Sequence, residues 1–147
     1  MGGFLNWLKS KIKVERFEIS RYNRPYLVRW VLWGKRFGPG KKIFLHRFHQ
    51  SDPDEALHDH PWSFWSLILW GGYWEITEEG KKWYGVGSLL KRPAEWKHRV
   101  ELDNNKKVWT LVWTGDKIRS WGFWCPQGWI HWSKFAAAEE ASKTGCE

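Results

Sequence analysis

The sequence predicts an all-β fold, an antiparallel sandwich or barrel, and three observations carry that prediction. From residue 24 onward, short runs rich in Trp, Val, Ile, Phe and Leu follow one another at close spacing. Glycine, proline, asparagine or aspartate punctuates them, and no helical periodicity separates them. The candidate strands are 26–33, 42–49, 56–60, 64–69, 73–77, 82–84, 88–92, 98–102, 108–114, 120–124 and 129–132. Turn chemistry marks Gly38-Pro39-Gly40, Gly71-Gly72, Glu79-Gly80, Asp103-Asn104-Asn105 and Pro126-Gln127-Gly128.

Ahead of the strands, Phe4, Leu5, Trp7, Leu8, Ile12 and Val14 lie among lysines. Their spacing predicts a short amphipathic helix over 4–14 that packs on the body of the domain, and it also fits a helix lying on a membrane surface. After the strands, 136–142 reads as helical again. No linker, internal repeat or low-complexity run interrupts the chain. The expectation is one domain over 1–147, with its core at about 24–135.

Fifteen of the 147 residues are Trp, and aromatic residues make up 18% of the chain. Such residues fill cores and rims, and they also stack on ring-shaped ligands. The formal net charge is +8. Lys and Arg crowd the first third as Lys9, Lys11, Lys13, Arg16, Arg21, Arg24, Arg29, Lys35, Arg36, Lys41 and Lys42. That basic stretch admits nucleic acid as a partner, although no recognition helix, zinc finger or RNA-binding signature accompanies it.

Cys125 and Cys146 form no CxxC pair, and the near-terminal place of Cys146 argues against a structural disulfide. The opening residues lack the Ser or Thr of a myristoylation signal. Phe4 to Leu8 is too short for a signal-peptide core, and no apolar run reaches membrane-spanning length. A cytoplasmic, reducing setting is the expectation.

The chemistry points to the histidines. In a strand, alternate side chains share a face, so His58 and His60 point together and Asp59 points away. Two imidazoles side by side suit a metal ion, because burying them without a metal or charge partner is costly. His98, opening a later strand after a proline-containing turn, is the natural third ligand. For His46, His49 and His131 a place in the core is the simpler reading. Three neutral imidazoles suit iron(II), zinc, nickel, copper or manganese.

The surrounding spacing resembles the two motifs of the cupin superfamily. The second motif matches at Gly87, Pro93 and His98, and the first at His58, His60 and Gly71 or Gly72. The segment from Leu57 to Trp62 and the run Trp121-Gly122-Phe123-Trp124 are also similar to uncharacterised cupins of phage and bacterial genomes. The resemblance implies a jelly-roll β-barrel with one divalent metal inside, and some cupins form homodimers. Where the family's glutamate ligand falls, this chain has Phe64 and Trp65. Asp52, Glu95 and Leu102 stand in place of two motif glycines and an asparagine. The implied ligand set is therefore His58, His60 and His98 alone, as in cupins resembling thiol dioxygenases, unless Glu95, His46 or His49 completes it.

Open coordination positions are the mark of a catalytic site. The resemblance implies a mononuclear metalloenzyme for a small molecule, dioxygenase-like, isomerase or hydrolase. The alternatives are a binding module for a sugar, nucleotide or metabolite, or a basic nucleic-acid-binding accessory protein. Arg47, Trp62, Phe64, Glu95, Trp113 and His131 are candidates for the pocket or its surroundings, because they neighbour the motif strands.

Overall fold

The structure, a computed structural model, describes residues 2, 3, 6, 14–141 and 144–147. The expected helix over 4–14 lies outside the described residues except for Asn6 and Val14.

The described chain is mostly β, in the order β1 Glu15–Arg21, β2 Arg24–Trp33, β3 Lys42–Phe48, β4 Leu57–His58, β5 Phe64–Trp70, β6 Gly72–Thr77, β7 Gly80–Gly85, β8 Leu89–Arg92, β9 Arg99–Leu102, β10 Val108–Thr114, β11 Gly122–Cys125 and β12 Gly128–His131. One helix, α1 Trp132–Glu140, follows. The strands form three antiparallel sheets with the orders β1-β2-β3-β10-β5-β8, β12-β11-β4 and β7-β6-β9.

Period-two alternation sets the faces of the large sheet. On β3, Lys42, Phe44 and His46 are buried, and their β10 partners Thr114, Val112 and Thr110 are buried with them. Val31, Phe44 and Val112 pack with Phe17, Trp62 and Phe64. A second apolar cluster joins Ile68, Tyr73, Leu90, Val100, Leu102 and Val108. A third centres on Phe123, Cys125 and Phe135, which bring α1 against β11.

Several expectations change. β1 is an unforeseen edge strand: Phe17 and Ile19 alternate with charged and polar residues, and the strand pairs with β2. The strand expected over 56–60 shortens to Leu57–His58. The helix begins at Trp132 rather than 136, because the Nδ1 of His131 accepts from the Ser133 amide at 3.2 Å and caps it. Cys125 and Cys146, expected to be free, form a disulfide. The tail folds back over α1, and buried Gly145 lies against the Phe135 ring, where a side chain would collide.

Among the described residues no Trp belongs to the buried core, and Trp33 and Trp70 are 60% and 69% exposed. Indole is too large to be enclosed easily. Two indole pairs stack on the large sheet instead, Trp30 on Trp109 and Trp65 on Trp113. The guanidinium of Arg47 lies 5.3 Å from the Trp109 ring, and the ammonium of Lys91 lies 5.3 Å from Trp65. The basic first third is likewise not all surface. Lys42 is 2% exposed and donates to the carbonyls of Gly38 and Gly40. No helix among the described residues is long and apolar enough to cross a membrane.

Candidate metal centre

The local fold that presents the histidines begins with a pairing. The backbones of His58 and His98 exchange hydrogen bonds at 2.9 and 3.1 Å, and the His60 amide donates to the Ala94 carbonyl at 2.9 Å. Gly87 adopts φ +86°, a conformation open to glycine, in the turn leading into β8. Pro93 closes that strand, and a turn from Pro93 to Trp96 returns the chain to His98. The Gly87–Pro93–His98 spacing is thus the length of one strand and one turn.

Asp59 is 1% exposed and faces away from the two histidines beside it. It accepts from the Gly122 amide at 2.8 Å, from Trp129 Nε1 at 3.0 Å and from Trp124 Nε1 at 3.1 Å, and it pairs with Arg119 at 3.0 Å. Gly122 must be glycine, because a Cβ there would fall 2.1 Å from the Ile130 carbonyl oxygen. A carboxylate with so many donors anchors the turn and holds both flanking imidazoles toward the cavity.

The ring centroids of His58, His60 and His98 lie 4.9 to 5.1 Å apart. One nitrogen from each falls within 4.8 Å of the others, and no fourth His, Cys, Asp or Glu joins the group among the described residues. Glu75 accepts from His98 Nδ1 at 2.6 Å and is also held by Arg92 at 2.6 Å and Trp96 Nε1 at 2.9 Å. Burial alone would raise the Glu75 carboxyl, but the hydrogen bonds from His98 and Arg92 outweigh it and hold the pKa at about 2. An ionised carboxylate only accepts, so Nδ1 of His98 carries a proton and the neutral form of the ring has its lone pair on Nε2.

Asp52 lies 3.8 Å from His58 Nδ1 and is itself fixed by Tyr26 and by the Val100 amide. Burial pulls His58 down to about 4, against the pull of Asp52 and helped by His98. Burial, with His98 and His58 nearby, likewise lowers His60 well below the usual range. Both rings are therefore neutral at pH 7. The Nδ1 of His60 is buried without a hydrogen-bond partner among the described residues. Two neutral imidazoles and a third whose Nδ1 proton is held by a carboxylate fit a divalent transition metal.

The trio opens into a cavity of about 910 Å³. Its walls include Phe44, Phe64, Phe123, Trp62 and Trp121, with Tyr26, Arg29, His46, Ser66 and Thr110 as polar members. Phe64 occupies the expected glutamate's neighbourhood, its ring centroid 4.7 Å from that of His60. Of the other candidates, His46, Trp62 and Phe64 line this cavity. The rest do not. Glu95 is exposed, Arg47 binds His49 by a 2.9 Å hydrogen bond, Trp113 stacks on Trp65, and His131 caps α1. Sequence reasoning missed Glu75, Asp52 as a partner of His58, and Arg29. Only pairing between distant segments brings Glu75 behind His98 and Asp52 and Arg29 to the cavity.

No protein-family model matches the chain, and no curated protein matches it. Solved structures do. A cupin-2 domain from Rhodospirillum rubrum is 13% identical with a TM-score of 0.62, covering 78% of this chain and 78% of that one. A cupin 2 conserved barrel domain protein from Rhodopseudomonas palustris is 12% identical with a TM-score of 0.61, over 79% and 81% of the two chains. The Fe(II) form of HppE is 14% identical with a TM-score of 0.57 over 69% of this chain, which spans 56% of the length of HppE. These likenesses establish the cupin fold.

Proposed function

We propose that the chain is a mononuclear metalloprotein acting on a small molecule, with His58, His60 and His98 as the metal ligands. The observation that carries this reading is the convergence of three imidazoles on the wall of a 910 Å³ cavity, with no fourth protein ligand among the described residues. The likeness to the Fe(II) form of HppE supports iron(II), and zinc, nickel and manganese suit the same donors. The reading includes a closed jelly-roll barrel and a single domain.

A bound metal would supply Lewis acidity or, as iron, electron transfer between substrate and dioxygen. The chain's own residues do the rest. Glu75 keeps the proton of His98 on Nδ1 and so keeps Nε2 free to ligate. Asp59 fixes the backbone between the two flanking ligands. Phe64, Trp62 and Phe123 make the surroundings apolar, which strengthens polar interactions with a bound substrate. A dioxygenase-like reaction is the enzymatic form of the proposal.

Metal analysis of purified protein tests it. The expected result is about one equivalent of transition metal in the wild type and none in His58→Ala or His98→Ala. A metal-free wild type, or equal metal in the variants, ends the proposal. A ligand recovered unchanged from aerobic, metal-loaded protein would keep the metal site and replace turnover by binding.

A further inference from the structure

A second polar group lines the cavity, on the inner face of the large sheet. Arg29 on β2 is the register partner of His46 on β3, and Thr110 on β10 is the partner of the same His46 on its other side. Three neighbouring strands therefore carry Arg29, His46 and Thr110 at one level, and all three line the cavity that holds the histidine trio. Directly opposed side chains lie about 4.5–5.5 Å apart at Cβ, so His46 is that close both to Arg29 and to Thr110, which flank it on either side.

Arg29 is the unusual member. Its Nε donates to His46 Nε2 at 2.7 Å, and its terminal nitrogens donate to no group among the described residues. The Phe44 ring lies 4.5 Å from its guanidinium carbon and Phe17 5.8 Å, but no carboxylate pairs with it among the described residues. Its titratable neighbours are the Tyr26 phenol, which burial keeps protonated, and Arg36, and burial pulls the Arg29 pKa down to about 10. Arg21 lines the same cavity and shows what a satisfied cation looks like here, with Asp54 and Glu139 both paired to it. An interior cation without a counter-ion is costly, and perturbed charges of this kind gather at functional sites.

The neighbours of Arg29 are complementary. His46 accepts from Arg29 at Nε2, so in its neutral form it carries its proton on Nδ1. The Thr110 hydroxyl is buried and has no partner among the described residues. The ladder offers a guanidinium, an imidazole N–H and a hydroxyl, which is the donor set for an oxyanion.

We propose that Arg29, His46 and Thr110 bind an oxyanion of the small molecule, a carboxylate or a phosphate, while the remainder of that molecule reaches toward the histidine trio. The substrate class is then an anionic metabolite. The inference rests on the metal-centre reading for that second contact, but the oxyanion pocket is testable without metal.

The test is calorimetry and thermal shift on the metal-free full chain, with glutarate, its neutral diamide and inorganic phosphate as probes. Metal content is measured separately on the same protein as purified, before the metal is stripped. We expect saturable binding of glutarate or phosphate and none of the diamide. Arg29→Met should weaken the bound anion at least tenfold, Arg29→Lys less, and Thr110→Val several-fold. Arg47→Gln, which removes a positive charge from the Trp30–Trp109 pair, should change nothing. Preference for glutarate assigns a carboxylate, and preference for phosphate a phosphate ester. Binding of neither anion above the diamide overturns the pocket, as does equal weakening by Arg47→Gln. The wild-type arm decides the matter even if Arg29→Met fails to fold. A wild type that binds the anion but retains no metal sinks the metal centre alone.

Discussion

The two polar regions of the cavity are built in opposite ways. At the histidine trio every orienting group is an acid with its donors already in place: Glu75 behind His98, Asp52 beside His58, and Asp59 between His58 and His60. Across the cavity, among the described residues, Arg29 has an imidazole and two aromatic rings but no acid, and the Thr110 hydroxyl has no partner. A completed carboxylate network spends its capacity on positioning the imidazoles. The incomplete ladder keeps its hydrogen-bonding capacity for a guest. On the proposed reading, one region is organised to hold ligands for a cation and the other to receive an anion.

That contrast can be broken at its strongest point first. Glu75→Gln keeps the shape but loses the charge that fixes the tautomer of His98. It should weaken metal affinity about 10- to 100-fold, as loss of an outer partner of a metal-bound histidine does. Competition with a chelator of known affinity measures it, and an unchanged affinity would make Glu75 a purely structural acid.

A pH series on the metal-free protein gives a second measure. His58 titrates at about 4 in the folded chain against an ordinary value of 6.5, so its contribution to stability is present above 6.5 and is lost as pH falls through 4. Glu75, held at about 2 against 4.5, withdraws its contribution only below 4.5. Asp54, raised to about 6 by burial, runs the other way between 3.8 and 6. The urea midpoint of the wild type should therefore fall from pH 7 to pH 4.5 more steeply than that of His58→Gln, a difference that cancels Asp54. Parallel slopes would contradict the burial of a neutral His58.

The smallest effect belongs to the ladder. Thr110→Val removes a hydroxyl that bonds nothing, so chemical denaturation should show a change within about 1 kcal/mol, toward greater stability. A loss well beyond that would mean the hydroxyl is satisfied in the folded protein.

The parts of this design that follow local spacing were legible in the sequence. His58 and His60 share a face because alternation puts them there, and the distance from Gly87 through Pro93 to His98 is a strand and a turn. Strand 108–114 appears with the bounds its alternation predicts. What was hidden depends on register between distant segments. Glu75 reads as one acid in an ordinary strand until β6 pairs with β9 and sets it opposite Val100, two residues from His98. Arg29 and Lys42 read as members of a basic run, because composition cannot say which lysine or arginine turns inward. The Cys125–Cys146 bond has no spacing signature either, since a helix and a turn of the tail bring the two together.

That bond lies two residues along β11 from Phe123, whose register partner is His58. Closing a 21-residue separation stabilises the fold by about 3 kcal/mol on a chain-entropy view. It also joins the tail to the strand that flanks the histidines. Thermodynamic linkage then runs in both directions along β11. Whatever preference the proposed metal centre has for the oxidised over the reduced tail must return, in equal measure, as a change in how readily the tail is reduced when a metal is bound.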